Sequence, residues 1–376
     1  MAGLYIHIPF CKQACHYCDF HFSTNQATRK DLVASLIKEL DLQKEYLQGE
    51  IINTIYLGGG TPSLLSSEEL SDLLHAIHLQ NKVNPKAEVT LEANPDDLSE
   101  EKLNELYLSG INRLSIGIQS FDDTVLKFFN RAHTSSEASD CVHKAREAGF
   151  KNISLDLMYA IPGQDHATWR KNIDQALNLL PEHVSSYTLT IEEKTAFGRW
   201  AKSGRLKGVK EEFAAEEFEI LMNRLNEAGY EHYEISNFSK PGYHSRHNSN
   251  YWKQEKYLGI GPSAHSYNGD SRQFNVSNNA AYIKSIQQNK LPFEIEVLTI
   301  ENKINEFIFT SLRTMWGCSL HYLRDHLDCD LQKKHAAYLK DLQDRNLVRI
   351  DNEILLLTHK GKFLADQIAS DLFIVN

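Results

Sequence analysis

Over its first two thirds the chain alternates short β-rich runs with longer segments of helical period, and nothing else in the sequence constrains the fold as strongly. The runs LYIHI from Leu4, IINTIYL from Ile51, AEVTLEA from Ala87, NRLSIGI from Asn112, NISLDLMY from Asn152 and HVSSYTL from His183 carry the residues strands favour. Between them lie helix-period segments such as SSEELSDLLHAIH and HATWRKNIDQALNLL. Several open on Ser or Thr with a carboxylate soon after, and two stop at Gly110 and Gly149, the usual start and stop chemistry of helices. Strands joined through helices pair in parallel, so their C-terminal ends gather on one side. Six such units predict an α/β fold, a partial (βα)6 TIM-like barrel that falls short of the eight units of a closed one.

The pattern turns irregular near Gly198. Residues 236–295, around the polar and aromatic stretch SNFSKPGYHSRHNSNYW, read as an irregular segment covering the barrel. The last 80 or so residues return to helical period and end in two short apolar runs, LVRI and EILLL, before a final helix. That order predicts a mainly helical, winged-helix-like module. The expected division is therefore 1–235 for the barrel, 236–295 for the cover and 296–376 for the module.

A length of 376 residues with 41% hydrophobic and 24% charged residues suits a large core domain with a smaller companion. The formal net charge is −10 and no Lys/Arg run is present, so nucleic acid is not an expected partner. The first residues lack a basic region followed by an apolar one, and no stretch approaches the ~20 apolar residues of a membrane span. A complete, cytoplasmic chain is the expectation.

Three of the six cysteines, Cys11, Cys15 and Cys18, lie within eight residues, whereas Cys141, Cys318 and Cys329 are scattered, which speaks against a disulfide framework. The C-x3-C-x2-C set follows the first strand. Three thiolates can share an iron–sulfur cluster and leave one iron open to a further ligand. They can also hold zinc with a fourth ligand such as His16 or His21, or stay unligated, and spacing alone admits all three. Gly58-Gly59-Gly60-Thr61-Pro62 follows the second strand; the glycines suit either a tight turn or N–H groups offered to a ligand's polar end. Polar residues recur where later strands end: Glu92, Gln119, Asp156 and Thr188. Each could cap a helix or pair a loop on its own, but in a βα barrel all four face one mouth.

The stretch YIHIPFCKQACHYCDF resembles the cluster loop of the radical S-adenosylmethionine superfamily, in its oxygen-independent coproporphyrinogen III oxidase-like branch. The resemblance covers nearly the whole chain. It implies a [4Fe-4S] cluster on Cys11, Cys15 and Cys18, with S-adenosylmethionine on the open iron. It implies that Gly59, Gly60 and Thr61 hold the methionyl part and that Glu92, Gln119, Arg131 and Asp156 occupy cofactor-binding positions. Asp156 suits the ribose hydroxyls, Tyr5 and Tyr17 match further contacts, and the turn with Ala160 and Gly163 is expected against adenine. Thr188 completes the expected set.

The oxidases of this branch have a further cysteine two residues beyond the third ligand and a longer N-terminal arm. Here Phe20 holds that position and only ten residues precede Cys11. Both departures resemble the HemW-type haem chaperones, as does the H-N-x-x-Y-W element from His247 to Trp252. That resemblance implies haem as bound cargo, with His247 as ligand and Tyr251 and Trp252 against the macrocycle. A polar loop with two aromatics can equally be a plain cover, and His244 and His265 are alternative ligands.

The expected partners are haem-acceptor proteins, membrane-associated respiratory complexes among them, an electron donor of flavodoxin or ferredoxin type, and a second copy of the chain in a cluster-dependent dimer. The location expected is the cytoplasm, peripheral at the membrane through the acceptors. The alternative function is decarboxylation of coproporphyrinogen III to protoporphyrinogen IX. A third, a nucleic-acid regulator built on the C-terminal module, is disfavoured by the acidic balance. The sequence singles out no catalytic residue and leaves open whether the cofactor is cleaved.

Overall fold

The structure is a computed structural model and describes residues 2–375. Six strands, β1 (Ala2–Ile8), β2 (Ile52–Gly59), β3 (Val83–Ala93), β4 (Arg113–Gln119), β5 (Ile153–Tyr159) and β6 (His183–Thr188), lie side by side in chain order and pair in parallel. Their outward side chains, such as Leu4, Ile6, Ile55, Leu57, Leu114, Ile116 and Leu155, are buried. They pack beneath the helices α1 (Arg29–Leu42), α2 (Ser67–Gln80), α3 (Glu100–Leu108), α4 (Asp123–Phe128), α5 (Ser135–Glu147) and α6 (His166–Asn178).

Local chemistry sets the helix starts. Ser66 and Thr134 form capping boxes with Glu69 and Glu137, while Ser99 and Asp165 accept from the third residue of their helices. On α2, Leu70, Leu73, Leu74 and Ile77 form the buried stripe. Each such side chain contributes about 1.5–3 kcal/mol by leaving water.

The partial barrel stands as expected and stays open, but the sheet is wider than six strands. Helices α7 (Ala196–Lys202) and α8 (Glu211–Glu227) lead to β7 (Glu231–Glu234) and β8 (Asn237–Ser239), and β8 runs antiparallel to β6. Helix α9 (Arg246–Trp252) then precedes β9 (Lys256–Ile260), which pairs in parallel with the free edge of β1. Strands β10 (His265–Tyr267), β11 (Ser271–Asn275) and β12 (Phe293–Val297) continue that edge antiparallel, with α10 (Asn279–Gln287) between the last two.

Residues 236–295 are therefore not an irregular cover but part of the sheet. Their strands are only three to five residues long, too short for a period to stand out from the polar stretches around them. Pairing with β1 and β6, distant in sequence, makes them strands.

A second core belongs to α11 (Ile300–Leu312), α12 (Leu320–Leu327), α13 (Leu331–Lys334), α14 (Ala336–Asp344) and α15 (Ala365–Asp371), with Ile308, Leu323, Leu339, Leu355 and Leu372 at its centre. Beside them β13 (Cys318–Ser319), β14 (Val348–Asp351) and β15 (Ile354–Leu357) form a small sheet. The β14–β15 turn has both Asn352 and Glu353 at positive φ, the twist a two-residue hairpin needs. The helices with this hairpin have the winged-helix order read from the sequence. Arg313 joins the module to the barrel through Glu234 at 3.0 Å, and the Ile235 N–H donates to the Arg313 carbonyl at 3.0 Å.

Candidate cluster and cofactor site

The loop that leaves β1 carries the three cysteines across the barrel mouth and is tied down by its own backbone. The Cys11 N–H donates to the Ser23 carbonyl at 3.1 Å, and the Ser23 N–H to the Pro9 carbonyl at 2.8 Å. The Gln13 amide donates to Asn130 Oδ1 at 2.7 Å, and the Asn130 amide returns a bond to the Ala14 carbonyl at 2.8 Å. The loop is thus held at both rims. Cys11, Cys15 and Cys18 are all half-buried and reduced.

Two donors reach the sulfurs: the Thr61 hydroxyl lies 3.5 Å from Cys11 Sγ, and Arg131 Nη1 3.4 Å from Cys15 Sγ. Burial pushes the Cys11 thiol up to about 11 and the Cys18 thiol to about 12, and their neighbouring sulfurs push the same way. A metal group must therefore displace protons on binding. The donor set, three soft thiols on one loop, fits an iron–sulfur cluster. His16 Nδ1 is bonded to the Phe128 carbonyl at 2.8 Å and His21 Nε2 to Asn279 Oδ1 at 2.7 Å. Among the described residues no three His, Cys, Asp or Glu side chains close on a single ion.

Behind the cysteines the strand ends converge. At the end of β2, Gly59 sits at φ +106, and a Cβ there would stand 2.4 Å from the His7 ring; a Cβ on Gly60 would stand 2.7 Å from the Phe10 carbonyl oxygen. The glycines are required because β1 and the cluster loop press against them. Their N–H groups are bonded within the barrel, which is the tight-turn one of the two readings the sequence allowed. Gly59 donates to Glu92 Oε2 at 3.0 Å, Gly60 to the Ile8 carbonyl at 2.9 Å and Thr61 to the Phe10 carbonyl at 2.7 Å.

Glu92, at the end of β3, also accepts from the Tyr56 hydroxyl at 2.8 Å. Burial, reinforced by Asp156, raises its carboxyl to about 7 despite those bonds. Asp156 on β5, 3.4 Å from the Ser115 hydroxyl, is raised by burial to about 6. Arg131 spans the gap, donating to Asn94 Oδ1 and the Gly117 carbonyl, each at 2.6 Å, as well as towards Cys15.

Gln119 and Ala160, ending β4 and β5, are both left-handed at φ +64 and +60, a backbone state that costs non-glycine residues energy and clusters at functional sites. Thr188 is exposed at the end of β6, in reach of the Tyr159 hydroxyl. Tyr17 packs edge-on against Phe129 beside the cysteines. Tyr5 lies inside the barrel, stacked on Tyr56 and bonded to His7 Nδ1 at 3.0 Å.

The sequence reading missed Tyr56, Asn94 and His7. Asn94 was within reach of it, lying two residues beyond Glu92 and so on the same face of the strand end. Tyr56 and His7 carried no local signal.

The H-N-x-x-Y-W element is helix α9, and it plugs the opposite end of the barrel, near the starts of β1 and β2. Glu88 accepts the Arg246 N–H at 3.1 Å and the His247 N–H at 3.0 Å. The His247 ring is 1% exposed, and both nitrogens are bonded, Nδ1 with the Thr54 hydroxyl at 2.8 Å and Nε2 with the Tyr251 hydroxyl at 2.9 Å. Desolvation holds its pKa down at about 3. It stacks on Tyr56 at 5.0 Å, Tyr251 packs against Tyr257, and Trp252 lies under the Arg313 guanidinium. The expectation that His247 ligates haem with Tyr251 and Trp252 on the macrocycle is therefore corrected: the ring has no free nitrogen and no access. Its stacking on Tyr56 instead supports Glu92 from below. His244, bonded to Glu231 at 2.9 Å, is also engaged.

The Radical SAM superfamily profile matches residues 5–176 and the HemN C-terminal domain profile residues 298–364. An open parallel barrel with three thiols at its mouth thus belongs to a radical SAM protein with a HemN-type C-terminal module. Over 98% of both chains the sequence is 38% identical to the haem chaperone HemW of Bacillus subtilis. It is 37% identical over 97% of both to that of Lactococcus lactis, and 40% identical to the Escherichia coli protein over 70% of this chain and 69% of that one. The chain belongs to the HemW family. The E. coli coproporphyrinogen III oxidase HemN, a radical SAM enzyme, shares the fold, with a TM-score of 0.86 over 99% of this chain and 90% of that one, at 22% identity.

Proposed function

We propose that this chain binds haem and delivers it to acceptor proteins, respiratory complexes at the membrane among them, in a state governed by a [4Fe-4S] cluster and S-adenosylmethionine. Full-length similarity to haem chaperones carries this reading. Phe20, 73% exposed where the oxidase branch has its further cysteine, agrees with it.

When bound, the cluster would supply one electron to the sulfonium of S-adenosylmethionine. Cys11, Cys15 and Cys18 would hold it, and the Arg131 guanidinium offsets thiolate charge at Cys15. Glu92, fixed by Tyr56 and Gly59, is a carboxylate suited to the methionyl ammonium. Asp156 accepts from ribose hydroxyls, with Thr188 and Gln119 at neighbouring strand ends. Ala160 and Gly163 form the turn towards adenine. The cofactor is then not spent on coproporphyrinogen. A flavodoxin- or ferredoxin-type donor supplies the electron, and a cluster-dependent homodimer is the working assembly. Contact with membrane complexes runs through the acceptors. No described helix is long and apolar enough to cross a membrane.

Haem transfer is the test. The chain, anaerobically reconstituted and loaded with haemin, is mixed with membranes carrying a haem-depleted respiratory complex. Recovery of the complex's haem spectrum at the expense of the chain's supports the reading; retention of haemin on the chain refutes it.

A further inference from the structure

Three histidines, His7, His21 and His265, stand where β1, β9 and β10 meet. Because β9 runs parallel to β1, its C-terminal end opens on the same side as the cluster loop. The chain then turns through Gly261–Ala264, with Ser263 left-handed at φ +64, and returns as β10 from His265.

Two glycines bring this turn close. A Cβ on Gly261 would lie 2.7 Å from the His7 carbonyl oxygen, and one on Gly259 2.0 Å from that of His265. His7 is buried with both ring nitrogens engaged, by the Tyr5 hydroxyl and by the His21 carbonyl at 3.0 Å. His21 stacks on His7 at 6.1 Å and bonds Asn279.

His265 differs from both: it is exposed, and among the described residues its ring nitrogens have no hydrogen-bond partner. Its nearest ring is Phe274 on β11, at 5.8 Å. Phe20, next to His21 in the chain, adds an exposed aromatic surface at the same rim. Partial desolvation on its β10 side and the nearby Arg272 guanidinium lower the His265 pKa, which favours the neutral imidazole that can ligate a metal.

We propose that His265 is the axial ligand that takes haem iron, with the macrocycle resting on Phe274 and reaching towards Phe20, and this rests on the haem-chaperone reading above. The cargo then sits at the rim that carries the cluster cysteines, while α9 at the far end is a plug. A neutral imidazole donates its nitrogen lone pair to iron, and the apolar rings take one face of the porphyrin.

The experiment titrates haemin into the full chain, reconstituted with its cluster, and into His265→Ala, His265→Asn and His247→Gln, following the Soret band and the low-spin ferric signature. Iron content and circular dichroism confirm that each variant is folded and loaded. Both His265 variants are expected to bind haemin at least ~10-fold more weakly and to lose the nitrogen-ligand signature. Free imidazole restores the signature, and His247→Gln keeps it. A wild-type signature and affinity in both His265 variants overturns the assignment and leaves the chaperone reading standing. Failure of the wild-type chain to bind haemin overturns both.

Discussion

Replacing His247 by alanine separates a plug from a haem ligand. The ring is 1% exposed, bonded to Thr54 at 2.8 Å and Tyr251 at 2.9 Å, and stacked on Tyr56 at 5.0 Å. Its removal breaks two buried hydrogen bonds, costing on the order of 1 kcal/mol each, and leaves their partners without their mate. The emptied ring volume adds roughly 1–2 kcal/mol. A total near 3–4 kcal/mol should appear as a lower urea midpoint with unchanged slope. Tyr56 then loses the surface that holds its hydroxyl on Glu92. S-adenosylmethionine affinity, measured by calorimetry on the reconstituted protein, should fall on the order of 10-fold, equivalent to about 1.4 kcal/mol. Haemin affinity should stay unchanged. Unaltered stability and cofactor affinity together with lost haemin binding would refute the reasoning.

Arg131→Ala should lower the iron and sulfide retained after reconstitution without unfolding the chain, and Arg131→Lys should not rescue it, since a single ammonium cannot serve Cys15, Asn94 and Gly117 together. Full iron content in Arg131→Ala would count against its place at the cluster. Gly59→Ala forces a Cβ to 2.4 Å from the His7 ring at φ +106, so it should lose at least about 2 kcal/mol of stability and assemble little cluster, read by melts and iron content. The pH dependence has a definite sign. Burial raises Glu92 from 4.5 to about 7 and Asp156 from 3.8 to about 6 in the folded chain. Their contribution is full below the unfolded values and is lost as pH rises through the folded ones. Buried neutral histidines such as His7, His133, His232 and His247 push the whole-chain slope the other way, so the comparison is with Glu92→Gln: the stability of the cofactor-free wild type relative to that variant should fall from about pH 5 to about pH 8, and a relative change of the opposite sign would contradict the assignment.

The barrel was legible because each parallel strand carries its own apolar run and each helix its own cap: Ser66 with Glu69 and Thr134 with Glu137 are local signals. The converging strand ends followed from topology, so Glu92, Gln119, Asp156 and Thr188 were named from position alone. What stayed hidden depends on contacts between distant segments. The pairing of β9 with β1 joins residues more than two hundred positions apart, and its strand sequence, KYLGI, has no marked period. His247 shows the same limit. Exposure and a free nitrogen decide whether a histidine can ligate, and both were decided by Thr54 and Tyr251. The glycines of GGGTP admitted a tight turn or ligand-facing N–H groups, and only the approach of His7 and Phe10, invisible in the sequence, shows why no side chain fits there.

The most direct measurement sets haem handling against porphyrinogen chemistry in one preparation. The anaerobically reconstituted chain, with S-adenosylmethionine and a reductant, is given haemin in one vessel and coproporphyrinogen III in another. Haem carriage predicts a stable haemin complex that empties into an apo-haemoprotein, with no protoporphyrinogen formed and no carbon dioxide released in the second vessel. Decarboxylation over many turnovers, with haemin left unbound, would contradict it and return the chain to the oxidase class.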